Sequence, residues 1–486
     1  MTDTLNHVER GTYLDSVALM RVSRRVSALP GVQEASLMMA SPTNKELLQG
    51  AGLLEAAGAA AGANDLIMAV RAATAAEAQA AVDAAQAMLA EKSETRIAGS
   101  VQARSLAGAA NLLAGANLAL ISVPGDYAPL EARRALQLGM HVLMFSDNVP
   151  LEEEVALKQF AHEQGLLLMG PDCGTAMIAG LPVAFANVVP HGNVGIVAAS
   201  GTGLQEVACL IARAGGGVSH GIGVGGRDLY AQVGAITTLD ALDALAHDPS
   251  TSTIVLISKP PSPEVAQRVL ERVASIAKPC VVCFLGLTDA KMPANAKLAR
   301  TLLEAAEAAL GVPIASGTAA LPKRKGGVRG LFCGGTLCAE AQIVFMAQGL
   351  VVSSNAAVPG AGSSSSASAS HVFTDLGDDE YTRGRPHPML EPDIRNDHVR
   401  EALAAPGTAV VLIDMVIGYG AHEDPASVLV AALGPAAGRV PVIASVTGTE
   451  RDPQGYARQV AILQNAGVVV AASNAHAALL AASIVS

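Results

Sequence analysis

The sequence predicts an α/β protein of several parallel-sheet domains, preceded by a small α+β unit. Three observations carry this. Of 486 residues, 51% are apolar and 15% charged, yet aromatics are only 3% and Trp is absent. A core of Ala, Val, Leu and Ile suits β-branched strands packed under Ala-rich helices. From Ala116 onward, short apolar runs alternate with helical stretches, the rhythm of βαβ units. Finally, one strand–turn–helix occurs twice. Gly192-Asn-Val-Gly-Ile-Val-Ala-Ala-Ser200-Gly201-Thr202-Gly203-Leu-Gln-Glu206 reads as a buried strand running through small residues into a helix, and Gly326-Gly-Val328-Arg-Gly-Leu-Phe-Cys-Gly334-Gly335-Thr336-Leu-Cys-Ala-Glu340 repeats it at an offset of 134 (326 − 192). Gly192/Gly326, Val194/Val328, Gly201/Gly335, Thr202/Thr336 and Glu206/Glu340 coincide in one register, which predicts an internal duplication.

Composition also sets limits. A net charge of −11, with no basic patch interleaved with aromatics, argues against a nucleic-acid partner. The first ten residues hold no apolar signal region, and no apolar run reaches membrane-spanning length. The expectation is a cytoplasmic protein with no membrane partner. Its six cysteines then read as free thiols. Cys280-Val-Val-Cys283 has redox-motif spacing but lies in an apolar strand, whose alternation sends the two side chains to opposite faces. Buried structural thiols are expected there, and no metal site.

In chain order, residues 11 to about 95 form the first unit. A helix ends near Ser27, strands cover Gly31–Ala40 and Asp65–Arg71, and an Ala-rich helix covers Ala75–Leu89, with Thr74-Ala-Ala-Glu77 spaced as a capping box. This β-α-β-α rhythm predicts a small ferredoxin- or ACT-like sandwich, followed by a linker from Ser93 to Ala107. Strands are then expected at Asn117–Val123, His141–Asp147 and Leu166–Met169, with helices between them to Gly139 and over Leu151–Gln164. Ligands of open parallel sheets sit at the carboxyl ends of strands, so the loops at Pro124–Tyr127 and Gly170–Thr175 are expected to line one crevice. Further strands fall at Thr253–Ile257, Cys280–Gly286, Ala409–Asp414 and Pro441–Thr447. The tract Gly360–Ser370 is a mobile loop or an inert insertion by composition.

A helix opening on Ser200-Gly201-Thr202-Gly203 presents free N–H groups, hydroxyls and a positive dipole end, the parts of an anion site. Gly334-Gly335-Thr336 repeats the offer. Glu206 and Glu340 lie one turn further on and are expected to decorate the helix starts.

Ser122-Val-Pro-Gly, Gly170-Pro-Asp-Cys173, Val194-Gly-Ile-Val-Ala-Ala-Ser-Gly-Thr and Gly221-Ile-Gly-Val-Gly-Gly226, in this order, resemble the α subunit of succinyl-CoA synthetase. The stretch from Gly326 resembles the carboxyl-terminal domain of that enzyme's β subunit. Their fusion, together with Asp375-Leu-Gly-Asp-Asp-Glu-Tyr-Thr-Arg383-Gly-Arg385-Pro-His387-Pro-Met, looks like the FdrA family. The resemblance implies four domains. A small α+β domain spans 1–95 and a truncated Rossmann-like CoA-binding-type domain 96–190. Flavodoxin-like domains span 191–322 (synthetase α-like) and 323–486 (synthetase β-like).

In the synthetases, two helix N-termini share a phosphate and a phosphohistidine carries the phosphoryl group. Here the helix starts are present and the histidine is not: Pro293, Ala294 and Asn295 stand near its position. The glutamate that orients it is absent near Ser258, Lys259 and Pro260 as well. No nucleotide-grasp region or Gly-x-x-x-x-Gly-Lys-Ser/Thr loop replaces them. The resemblance therefore implies a carbamoyl- or acyl-phosphate transferase subunit, an oxamate carbamoyltransferase of purine-ureide (allantoin) catabolism, oligomeric and working with separate protein subunits. Ser200, Thr202 and Thr336 are the expected catalytic residues, and Gly201, Gly203, Gly334 and Gly335 the phosphate binders. Carbamoyl phosphate or phosphate is the expected ligand, while CoA is doubtful because the Gly-rich first turn of the CoA domain is missing. Candidates for the rest of a small anionic substrate are Asp126, Tyr127, Asp172, Cys173, Gly225, Gly226, Arg383, Arg385 and His387. Each has a plainer reading. Asp126 and Tyr127 suit an ordinary turn, the glycines with Gly223 a strand-to-loop bend, and the Arg383 loop local pairs to Asp378, Asp379 and Glu380. Lys259 is either a charge near the cradle or a pre-proline surface lysine. Alternatives are an ADP-forming acyl-CoA synthetase subunit and a non-catalytic metabolite-binding scaffold.

Overall fold

The computed structural model describes residues 2–12, 14, 16–94, 103, 105–287, 290–317, 321–363, 370–382, 387–434 and 439–486. The chain divides into two compact units, one built chiefly of Met1–Met140 and the other of His141–Phe145, Pro150–Thr382 and His387–Ser486.

In the first unit the order is β1 (Asp3–Glu9), α1 (Ser16–Ser27), β2 (Val32–Met39), α2 (Pro42–Gly50), α3 (Ala56–Ala59), β3 (Leu66–Ala72) and α4 (Ala75–Glu94). The three strands form an antiparallel sheet, β1-β3-β2. β1 lies ahead of residue 11, where sequence reading began the unit; its Asp-Thr-Leu-Asn-His-Val-Glu is too polar to announce a strand. Both faces of β3 are covered. Leu66, Met68 and Val70 pack with Leu19, Val26 and Val82 of α1 and α4, whereas Ile67 and Ala69 pack with Leu48 and Leu53. Asn6 fixes the second layer, donating from Nδ2 to Leu53 O (2.8 Å) and accepting from Glu55 N–H (2.8 Å). The capping box is formed, with Glu77 N–H donating to Thr74 Oγ1 (3.3 Å) and the hydroxyl donating to Glu77 Oε2 (2.9 Å). α4 runs past Leu89 to Glu94, and α5 (Leu106–Leu112), β4 (Leu118–Ile121) and α6 (Ala128–Gln137) complete the unit.

The second unit opens with β5 (His141–Met144), α7 (Leu151–Glu163) and β6 (Leu168–Met169); β5 and β6 pair in parallel. A hairpin the sequence did not announce follows, β7 (Thr175–Ile178) and β8 (Leu181–Ala184). Next come β9 (His191–Ala198), α8 (Gly201–Arg213), β10 (Val218–Gly223), α9 (Ile236–His247), β11 (Thr253–Ser258), α10 (Pro263–Ala274), β12 (Cys280–Phe284), β13 (Ala296–Leu298) and α11 (Leu302–Leu310). The seven-stranded sheet runs β13-β12-β11-β9-β10-β7-β8. Its parallel strands have the flavodoxin-like order, with the antiparallel hairpin beside β10.

The second half repeats the plan: β14 (Gly327–Phe332), α12 (Gly335–Ala347), β15 (Val352–Ser354), β16 (Gly362–Ser363), β17 (His371–Asp375), α13 (Asp379–Thr382), α14 (Asp393–Ala404), β18 (Thr408–Val416), α15 (Pro425–Leu433), β19 (Val442–Thr447), α16 (Tyr456–Asn465), β20 (Val469–Ala471) and α17 (Asn474–Val485). Its parallel sheet runs β16-β15-β17-β14-β18-β19-β20, the same order with two extra edge strands. Most of the Gly360–Ser370 tract lies outside the described residues. One apolar core joins the halves, with Leu204 and Val207 of α8 beside Leu337 and Ala341 of α12 and Ala477 and Ala481 of α17.

Glu206 and Glu340 do not decorate exposed helix starts. They are 1% and 0% exposed, because each helix turns this face toward the other half. Glu340 accepts from the N–H groups of Leu302 (2.6 Å) and Leu303 (3.4 Å), capping α11 of the first half. Glu206 accepts from Asn474 N–H (3.1 Å), capping α17 of the second, and from the Thr447 hydroxyl. Asn474 Nδ2 donates to Glu340 (2.7 Å) and ties the two caps together. Burial pushes Glu340 up to about 7 even though three donors pull it down. Glu340→Ala orphans these donors at roughly 1–3 kcal/mol each. We therefore expect about 3 kcal/mol of lost stability, read as a lowered urea midpoint, with Glu206→Ala acting in the same direction. Loss within about 0.5 kcal/mol, as for surface positions, would contradict the reciprocal caps.

Candidate functional site

The site forms where β9 and β14 end. Beyond Ala198 the chain turns on small residues, and Ser200 adopts the extended N-cap conformation (φ −157°, ψ 121°), its Oγ accepting from Gly203 N–H at 3.0 Å. α12 starts in the same way after Gly334, but with no side-chain cap. The two starts face each other. Ser200 Oγ and Thr336 Oγ1 are hydrogen-bonded at 2.5 Å, and a Cβ on Gly334 would stand 3.0 Å from Thr202 Oγ1. The offset of 134 relates these contacts (334 − 200 and 336 − 202), so each threonine meets the cap of the opposite helix. The pairing of Ser200, Gly201, Thr202 and Gly203 with Gly334, Gly335 and Thr336 expected from sequence is thus a spatial one. Close approach explains the glycines: a Cβ on Gly201 would meet Thr175 Oγ1 at 2.9 Å, and one on Gly335 would meet Asp375 Oδ2 at 2.5 Å.

The two helix starts differ electrically. Neither helix has an acidic residue in its own first turn, and Ser200, Gly201 and Thr202 at the α8 start are half-buried. Around α12, buried Asp414 of β18 accepts from Cys333 N–H and Gly334 N–H, both at 2.7 Å. Buried Arg395 lies behind, donating to Asp414 O at 2.9 Å. Asp375, at the end of β17, accepts from Gly377 N–H (3.0 Å). Its backbone is clamped from both sides by Asn355 (2.9 and 2.8 Å). Burial pushes both carboxyls up to about 6, against the pull of Lys259 on Asp375 and of two backbone N–H groups on Asp414. Lys259 is exposed, yet its ammonium lies 3.4 Å from where a Gly335 Cβ would be. It is a charge at the cradle, not merely a surface lysine. Sequence reading missed the roles of Asp375 and Asp414. The available signal was an acidic residue ending an apolar strand.

Other candidates separate. Cys173 is 4% exposed, and its Sγ lies 2.5 Å from where a Gly223 Cβ would be. Burial raises the thiol to about 12, so it is a protonated group packed within the protein. Gly225 (φ +87°) is required by the backbone of Pro171, whose O would lie 2.5 Å from its Cβ. Its close approach is to protein, not to open space. Gly226 and exposed Asp172 do face one another, at 3.8 Å from the would-be Cβ to Oδ2. Asp126 and Tyr127 lie in the first unit in a tight turn opening α6, with Tyr127 N–H donating to Pro124 O (2.9 Å). Arg383 and Arg385 lie outside the described residues. His387 accepts from Met389 N–H at Nδ1 (3.2 Å), burial lowers its pKa to about 4, and its Nε2 lies beside Gly377. It is a neutral imidazole near Asp375. Where the resemblance places a histidine, Asn295 instead donates to Val273 O (2.9 Å) and Ile276 O (2.8 Å), committed to the end of α10.

Residues 331–484 match the CoA-ligase family model, and residues 1–105 match a model described as AllF, heavy metal-associated domain. The chain is 41% identical to the uncharacterized protein YahF of Escherichia coli (strain K12), over 98% of this chain and 97% of that one. It is 29% identical to the succinate–CoA ligase [ADP-forming] subunit alpha-2 of Trichomonas vaginalis, over 36% of this chain and 57% of that subunit. A solved acetyl-coenzyme A synthetase 1 of Ca. Korarchaeum cryptofilum covers 80% of this chain and 86% of its own at 16% identity, with a TM-score of 0.32, a likeness too loose to argue from.

The metal in the name of the amino-terminal family model does not fit this chain. Residues 1–105 contain no cysteine and one histidine, His7, whose Nε2 is within 3.0 Å of Gln86 Nε2. Among the described residues no group of three or more His, Cys, Asp or Glu side chains is placed to hold a metal. Soft-metal sites need thiolate or imidazole donors. Zn(II) in tenfold molar excess is therefore expected to leave the melting temperature unchanged; a rise of several degrees would reveal a site these residues do not supply.

Proposed function

Because the chain belongs to the FdrA-like family of acyl-CoA-synthetase-like proteins, we propose that it is a transferase subunit moving a carbamoyl or related acyl group between phosphate and an amide nitrogen. The observation that carries this is the facing pair of helix starts, joined through Ser200 and Thr336, in a chain with no histidine on the loop that would serve them. Without a phosphoryl carrier, the anion held there must arrive or leave on the substrate. The N–H groups of the α8 start and the hydroxyls of Ser200, Thr202 and Thr336 would hold it, stabilising charge as the acyl–phosphate bond forms or breaks. A ureide or amide nitrogen would need positioning rather than covalent activation. Oxamate carbamoyl transfer, yielding oxamate and carbamoyl phosphate from a carbamoylated oxamate, is the reaction of this class that the family resemblance favours. It would be carried out with separate subunits.

A second reading, an ADP-forming acyl-CoA ligase subunit, draws on the CoA-ligase match over residues 331–484. The two part on phosphorylation. Our reading expects no phosphoryl label on this chain after incubation with labelled ATP, and label on the protein would favour the ligase. It also expects Thr202→Leu and Thr336→Leu to reduce carbamoyl phosphate formation by the reconstituted complex by roughly 100-fold or more, the scale of losing an oxyanion donor. Full activity in both variants would move the catalytic site elsewhere.

A further inference from the structure

The cradle described above holds anion binders but no group that moves a proton, and carbamoyl transfer requires one. When phosphate attacks the carbamoyl carbon, a C–O bond forms and the C–N bond breaks. The departing amide nitrogen must gain a proton, and the phosphate O–H must lose one. Resting on the reading above, we propose that Asp375 is the catalytic residue that carries this proton, with Lys259 offsetting its charge. Protonated Asp375 gives its proton to the leaving nitrogen as the C–N bond breaks, and its carboxylate takes the proton of the phosphate O–H. In the reverse direction the carboxylate accepts from the attacking amide.

Placement supports the role. Asp375 is 5% exposed at the carboxyl end of β17, where ligands of parallel sheets sit. Its backbone is fixed by Asn355 on both sides, and Oδ1 by Gly377 N–H. Oδ2 is left against Gly335, the first residue of α12 and next to Thr336, with the Lys259 ammonium on the same side. A carboxylate wedged where an anion should bind is an awkward choice for binding alone. It is a sensible one for a proton carrier, since the arriving anion favours its protonated form. The charged and titratable groups around it are Lys259 after β11, Asp378 and His387 in the following loops, Asp414 on β18, and the thiols of Cys333 and Cys338. His387 and both thiols are neutral at physiological pH, and of the rest only Lys259 opposes the carboxylate's charge. Burial already brings Asp375 to about 6, near the working pH of a general acid.

The test is Asp375→Asn in the full chain, whose amide oxygen keeps the bond from Gly377. Sulfate is the binding probe, because its charge does not change over the range used. Wild-type affinity for sulfate is expected to fall by about tenfold between pH 5 and pH 8 as Asp375 ionises, one unit of linked pKa. The variant should bind sulfate at pH 8 at least as well as wild type, with that pH dependence reduced to what Asp414 alone contributes. With the partner subunits present, its carbamoyl transfer should fall by about 100-fold or more, the scale of general acid–base catalysis. If wild type transfers the carbamoyl group and the variant matches it within a few-fold, the role of Asp375 is overturned while the parent reading stands. An unchanged pH dependence of sulfate binding in the variant also overturns the role. If wild type itself transfers no carbamoyl group, both fall.

Discussion

Two helix ends of the same polarity face one another at the centre of the second unit, and the rest of that unit is arranged to keep them there. The N-termini of α8 and α12 each carry about half a positive charge, so bringing them together is unfavourable until something negative lies between or beside them. The protein supplies part of that charge itself. Asp414 takes two N–H groups just ahead of α12, and Asp375 lies against Gly335. Mechanical restraint comes from one turn deeper, where Glu206 and Glu340 each cap the last helix of the other half and share Asn474. A cradle of this kind is pre-organised. Its backbone does not have to be assembled, only the Ser200–Thr336 hydroxyls parted, and the unspent polarity is on the α8 side.

This asymmetry gives the duplicated site a direction. Two copies of a strand–turn–helix need not bind two anions, and here only the α8 copy keeps both a hydroxyl cap and an uncompensated start. The α12 copy contributes Thr336 and surrounds it with groups that titrate. In the synthetase family the shared phosphate is passed to a histidine. In this chain Asn295 stands near that histidine's position, and its amide is spent on the end of α10.

Much of this was legible in the sequence. The repeated Gly-x-Val register predicted the two α/β halves, and the small residues at Ser200–Gly203 and Gly334–Thr336 predicted a pair of helix starts, which the fold brings face to face. The parallel strands fell close to where apolar runs placed them. The failures have physical causes. β1 was hidden because an edge strand with polar residues on its open positions lacks alternation, and the β7–β8 hairpin because its strands are four residues each. Glu206 and Glu340 were read as solvent-facing because carboxylates near helix starts usually are, and only tertiary packing reveals that the two helices bury that face against each other. The close protein neighbours of Cys173 and Gly225 were not legible because sequence cannot distinguish a close approach to ligand from a close approach to backbone. Asp375 and Lys259 come from different halves, far apart in the chain, and nothing in their local sequence announces that they meet.

The central claim is that the paired helix starts form one anion site. A crystal of the full chain grown or soaked with phosphate tests it most directly. The account predicts density for a single phosphate bounded by Ser200, Gly201 and Thr202 on one side and by Gly335 and Thr336 on the other, with the Ser200–Thr336 hydrogen bond opened to receive it. An ordered phosphate bound elsewhere, with the two hydroxyls still joined and the cradle empty, would contradict it.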